Sequence, residues 1–127
     1  MKQTGIHGKF ADNKNIVTVN LQVMIFLDNG TSIAYIPALD ISGYGKTEPE
    51  AKSSLEHSLN EYFSYTLAKN TLIKDLKAHN WTIAKKNKPF IAPDITDLIG
   101  RNEYLHDILN MRSYKMDRMD VAMPQYA

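Results

Sequence analysis

The sequence predicts an α+β fold, and three observations predict it. A period-two apolar run is followed by an Asn-Gly turn and a second alternating run. A capping-box signature then opens a long amphipathic helix. Beyond Pro89 the chain changes to short, separately capped apolar stretches.

The first run is residues 17–27. Val17, Val19, Leu21, Val23, Ile25 and Leu27 fall on one face; Thr18, Asn20 and Gln22, followed by Met24 and Phe26, fall on the other. Alternation at every second residue belongs to a strand with one face on a core. Asn29 and Gly30 both tolerate the positive φ that a two-residue type I′ turn requires. The return strand spans 31–39, with Ile33, Tyr35, Pro37 and Leu39 alternating against Ser32, Ala34, Ile36 and Ala38. Pro37 has no N–H for a ladder, so it predicts an edge strand or a bulge. A third strand, punctuated by Gly43 and Gly45, leads to Thr47, and the glycines predict a sharp bend or bulge before the helix. Thr47 and Glu50 have capping-box spacing, Pro49 fits the first turn, and Glu48 and Glu50 suit the positive end of the dipole. The helix is expected over 48–69, burying Ala51, Leu55, Leu59, Tyr62, Phe63 and Thr66.

Two strands, a glycine-punctuated third and a long helix carry an ordered motif. Ala34-Tyr35-Ile36-Pro37, then Asp40-Ile41-Ser42-Gly43-Tyr44-Gly45-Lys46-Thr47, then Glu50-Ala51, resemble the HicB family of antitoxins. Pro37, Asp40, Gly43, Gly45, Thr47, Glu50 and Ala51 match in order. Tyr44 stands where the family has a small hydrophobic residue or Cys. The resemblance implies a partial RNase H-like β-β-β-α-β module over residues 15–88. It also implies an antitoxin that neutralises a small HicA-like ribonuclease toxin and often represses its own operon. Tyr35, Pro37, Asp40, Tyr44 and Lys46 are the expected partner-binding residues. Gly43, Gly45, Thr47 and Glu50 are the expected structural residues.

The rest of the chain completes this unit and then departs from it. Residues 1–14 are polar and read as a mobile arm. Asn70-Thr71 can cap a helix over 72–79, and 81–83 reads as the closing strand, with Trp81 as a core anchor. Lys85–Lys88 reads as a solvated turn. In the extension 89–127, Asp94 can cap a helix over 95–99 stopped at Gly100, and Asn102 another over 103–111. Met119, Val121 and Met123 alternate, as a short last strand would. These residues hold too little apolar surface for a core of their own. They are expected to cover the face bearing Met24 and Phe26, in their own chain or in a partner's. A homodimer or dimer of dimers with this tail in the interface follows. No ribbon-helix-helix or helix-turn-helix pattern threads through 89–127, so operator DNA rests on the resemblance alone.

Composition narrows the function. The 127 residues carry 15 basic and 14 acidic side chains, a net charge of +1, which makes no electrostatic case for nucleic acid as the main partner. There is no cysteine, so thiolate metal sites and disulfides are excluded. No apolar run approaches the about 20 residues of a membrane span, and the first residues lack a signal-peptide core, so a cytoplasmic protein is expected.

Catalytic patterns are scarce. The core face of the first strand is aliphatic, without the carboxylates that an RNase H-type nuclease uses to hold metals. Asp28 reads as a turn former. His57 lies between Ser54 and Ser58 without an orienting acid, and reads as a surface histidine. Gly43-Tyr44-Gly45 lacks the third glycine and the Lys-Ser ending of a phosphate loop. No enzyme activity, cofactor or metal is expected. A stand-alone interaction or regulatory module of the same fold is the alternative.

Overall fold

A computed structural model of the chain describes residues 16–83, 90–110 and 113–124. The arm 1–14 and the turn 85–88 lie outside the described residues. Strand β1, Ile16–Asp28, turns through Asn29 (φ 53°) and Gly30 (φ 81°) into β2, Thr31–Ile36. The two pair antiparallel from Asp28↔Thr31 to Met24↔Tyr35. β3, Ile41–Gly45, pairs antiparallel with β2 in unbroken register from Ile36↔Ile41 to Ser32↔Gly45.

Two expectations are corrected here. β2 is an interior strand, and it ends before Pro37, which lies in the turn to β3. A residue without an N–H terminates this strand instead of marking an edge or a bulge. Gly43 and Gly45 make no bulge either. A Cβ on Gly43 would lie 2.2 Å from the Leu55 nitrogen and 2.4 Å from the Ala51 carbonyl oxygen. On Gly45 it would lie 2.5 Å from the Glu50 Cβ. The glycines let the following helix lie against the β3 backbone.

That helix, α1, is Glu48–Ala68. Thr47 caps it, its hydroxyl accepting from the Glu50 N–H at 3.3 Å. Glu50 reaches back one residue further than a standard capping box, to the Lys46 N–H at 2.8 Å. Ala51, Leu55, Leu59, Phe63 and Thr66 are buried, while Tyr62 is half-buried. Asn70, at φ 59°, ends α1 in a Schellman turn: the Thr71 N–H donates to the Thr66 carbonyl and the Asn70 N–H to Leu67. Helix α2, Leu72–Ala78, ends the same way at Asn80 (φ 73°), but no side-chain bond caps its start at Thr71.

The closing strand expected at 81–83 is a single bridge, Thr82↔Ile91. Trp81 is the expected anchor, donating from Nε1 to the Ala38 carbonyl at 2.7 Å and packing edge-on against Phe90. The fourth strand of the sheet comes from the tail. β4, Lys115–Pro124, runs antiparallel to β1 from Ile25↔Lys115 to Ile16↔Pro124. The sheet order is β3-β2-β1-β4. Between Phe90 and β4 lie α3, Ile95–Leu98, a 3-10 turn over 99–101, and α4, Glu103–Leu109.

Both sheet faces are covered. Leu21, Val23, Ile25, Ala34 and Ile36 pack with α1, α2, Trp81 and Phe90. Met24, Phe26, Ile33 and Tyr35 pack with Leu98, Leu105 and Ile108. The tail's helices therefore cover the Met24–Phe26 face of their own chain. Lys115 and Asp117 tie β4 to α1, through Lys115–Glu48 (2.8 Å) and Lys52–Asp117 (2.7 Å). Among the described residues no helix is long and apolar enough to cross a membrane.

Candidate partner-binding site

The ordered motif folds into one corner of the molecule. β2 ends in a tight turn in which the Asp40 N–H donates to the Ile36 carbonyl at 2.8 Å. Asp40 takes φ 57°, a left-handed value that Asp and Asn tolerate better than most residues. This conformation returns the carboxylate to Tyr35, whose hydroxyl donates to Oδ1 at 2.7 Å. The same hydroxyl accepts from Asn102 Nδ2 at 2.9 Å. Asn102 in turn caps α4, its Oδ1 accepting from the Leu105 N–H at 2.9 Å. Burial, then the bond to Asp40, pushes the Tyr35 hydroxyl far above its ordinary pKa.

Over this network sits Tyr104, the second residue of α4. Its ring meets Tyr35 edge-on at 4.8 Å and Phe26 at 6.4 Å. It is nonetheless 39% exposed. Tyr44, 57% exposed, pairs in register with Ile33, so it rises on the same face as Phe26 and Ile33. Partial burial, then the neighbouring Tyr44, Asp28 and Asp40, raises the Tyr104 pKa. Asp28 and Asp40 are both exposed. Tyr104 and Tyr44 thus stand as two exposed rings over a hydrogen-bonded base, with Asp28 at one end of β2 and Asp40 at the other.

The expected site residues divide. Tyr44, Asp40 and Lys46 are exposed there, and the Lys46 N–H anchors Glu50. Tyr35 is 1% exposed and Pro37 is buried. Tyr35 supports the corner from below, and neither residue offers surface for a contact. Tyr44 is held by its backbone, its N–H donating to Ser54 Oγ at 3.1 Å. That bond gives Ser54 a structural task, and His57 pairs with Glu61 at 3.2 Å on the exposed side of α1.

Sequence reasoning missed Asn102 and Tyr104 as members of the site and read Asp28 only as a turn residue. The signal at Asn102 was a helix cap, which it is. Nothing local joins it to Tyr35, 67 positions away.

Among the described residues no three His, Asp or Glu side chains are grouped to hold a metal ion. No family model, no curated protein and no solved structure matches this chain.

Proposed function

We propose that the chain is a HicB-like antitoxin that captures a small, basic, HicA-like ribonuclease on the corner formed by Asp28, Asp40, Tyr44 and Tyr104. One observation carries the reading: the motif that resembles the family meets α4 in one exposed patch of acidic and aromatic side chains on a hydrogen-bonded base. Aromatic anchors are enriched among residues that dominate protein interfaces, and carboxylates complement the lysines and arginines of an RNA-binding enzyme. The β-β-β-α order, with α1 lying across β3 and β2, supports a partial RNase H-like module. Its fourth strand differs, coming from the tail.

A second reading, a stand-alone interaction module, draws on a different observation. The tail folds back as α3, α4 and β4 on its own sheet, where many antitoxins of the family carry a DNA-binding segment. This arrangement also favours a protein partner over operator DNA.

The antitoxin reading expects a short basic reading frame beside the gene, and co-expression with it separates the two. The antitoxin reading expects growth arrest by the neighbour alone and rescue by this chain, with rescue lost in Tyr44→Ala/Tyr104→Ala. An innocuous neighbour, or rescue that survives the double substitution, contradicts it.

A further inference from the structure

We propose that the outer edge of β4 pairs antiparallel with the same edge of a second copy of this chain, about a two-fold axis at Met119. β4 is a ten-residue edge strand, and among the described residues no strand lies on its outer side. Such an edge is a template for strand addition unless something blunts it.

The direction of its backbone groups follows from the hairpin. A two-residue turn makes Asp28–Thr31 a hydrogen-bonded pair, so Phe26, Met24 and Gln22 aim their main-chain groups toward the β2 side. Val23, Leu21 and Val19 then bond β4, through Asp117, Met119 and Val121. Arg118 and Asp120 therefore aim N–H and C=O outward. The Arg118 N–H fits this, donating to its neighbour Asp117 at 2.9 Å and not to β1.

Side chains select the register. Lys115 and Asp117 are bound to α1 on the helix side and do not guard the edge. On the other side stand Arg118 and Asp120, both exposed and both held by Asn20, with Asn20 Nδ2 donating to Asp120 at 2.9 Å. In an antiparallel self-pair the numbers of facing residues have a constant sum. Outward groups must meet outward groups, so that sum is even here. An axis at Arg118 sets arginine against arginine, and one at Asp120 sets aspartate against aspartate. An axis at Met119 sets Arg118 against the partner's Asp120 and Asp120 against the partner's Arg118, one opposite-charge pair on each side of the axis. Opposite charges facing across strands stabilise the pairing, and like charges oppose it. The second strand displaces the Asp117 carboxylate from the Arg118 N–H.

Light scattering on the eluting full chain is expected to give the mass of two 14.4 kDa chains. Arg118→Asp alone and Asp120→Arg alone should each run as one chain. Mixed in equal amounts, they should form the two-chain species, and so should the double Arg118→Asp/Asp120→Arg protein. That rescue separates lost pairing from lost folding. Met119→Cys should cross-link completely on mild oxidation, because facing Cα atoms of a non-hydrogen-bonded pair lie about 4.5 Å apart. The chain has no other cysteine to confuse the result. Arg118→Cys and Asp120→Cys should not cross-link. A single-chain mass for the natural sequence at near-millimolar concentration overturns the proposal, as it would if residues 1–15 took the edge instead. A dimer indifferent to the charge exchanges also overturns it.

Discussion

The Tyr35 and Tyr62 hydroxyls are withdrawn from water and each donates to a carboxylate, Tyr35 to Asp40 and Tyr62 to Asp75. Burial, then that bond, raises both pKa values well above the ordinary 10.0. A raised folded value means that the folded chain favours the neutral hydroxyl more than the unfolded chain does. The stability from each group is whole below pH 10 and is lost as pH rises from there toward the folded value. Unfolding titrations above pH 10 should therefore show a steep loss of stability, flattened in Tyr62→Phe. At neutral pH the same substitution should cost about 1 kcal/mol for the lost hydrogen bond. An unchanged alkaline slope would count against these bonds. At this scale the sequence was partly legible. Helical spacing put Tyr62 on the buried stripe, where it is half-buried against the core, but its bond to Asp75 depends on how α2 returns along α1. Tyr35 was expected at a partner contact from the resemblance, and it is buried because α4 covers its face of the sheet.

The α1–β3 contact shows which parts of an element can be read locally. Helix start, cap and buried stripe follow from Thr47, Pro49, Glu50 and the spacing of Ala51, Leu55, Leu59 and Phe63, and the helix ends within one residue of expectation. The role of Gly43 was misread because its cause lies in another element. Gly43→Ala would drive a methyl into the α1 backbone at Leu55 and Ala51, which cannot swing aside as a flexible side chain can. Overpacking of that kind should destabilise by about 3 kcal/mol in urea unfolding. Gly100→Ala, with nothing within 4 Å of the added carbon and no positive φ, should be neutral or slightly stabilising. Equal effects at the two sites would contradict the close-approach reading. β4 was legible only as a short strand at 119–123. Residues 115–118 carry three charges that break the apolar alternation, and these charges are satisfied by α1 and Asn20.

At the scale of the whole molecule the tail completes the fold. Leu98, Leu105 and Ile108 cover Met24, Phe26, Ile33 and Tyr35, and β4 lies along β1 over ten residue pairs. Removing residues 90–127 should expose that face and the β1 edge together, giving a protein that aggregates or loses its cooperative melt. A truncated module with the melt of the full chain would show that the tail is dispensable. The need for covering was visible in the sequence. The choice of its own chain was not, because apolar composition does not say which copy of a face a segment will meet.

The tail also supplies one ring of the proposed site and part of its base, since Tyr104 and Asn102 meet the motif of residues 35–44 only once α4 is docked. Isothermal titration into this chain of the purified product of the short basic reading frame expected beside its gene tests that claim most directly. The natural sequence should bind it, and Tyr44→Ala/Tyr104→Ala should weaken binding by about 100-fold or more while keeping a single cooperative melt, as expected for aromatic hot spots. Equal affinity for the natural and doubly substituted chains would contradict the assignment of this corner as the partner site.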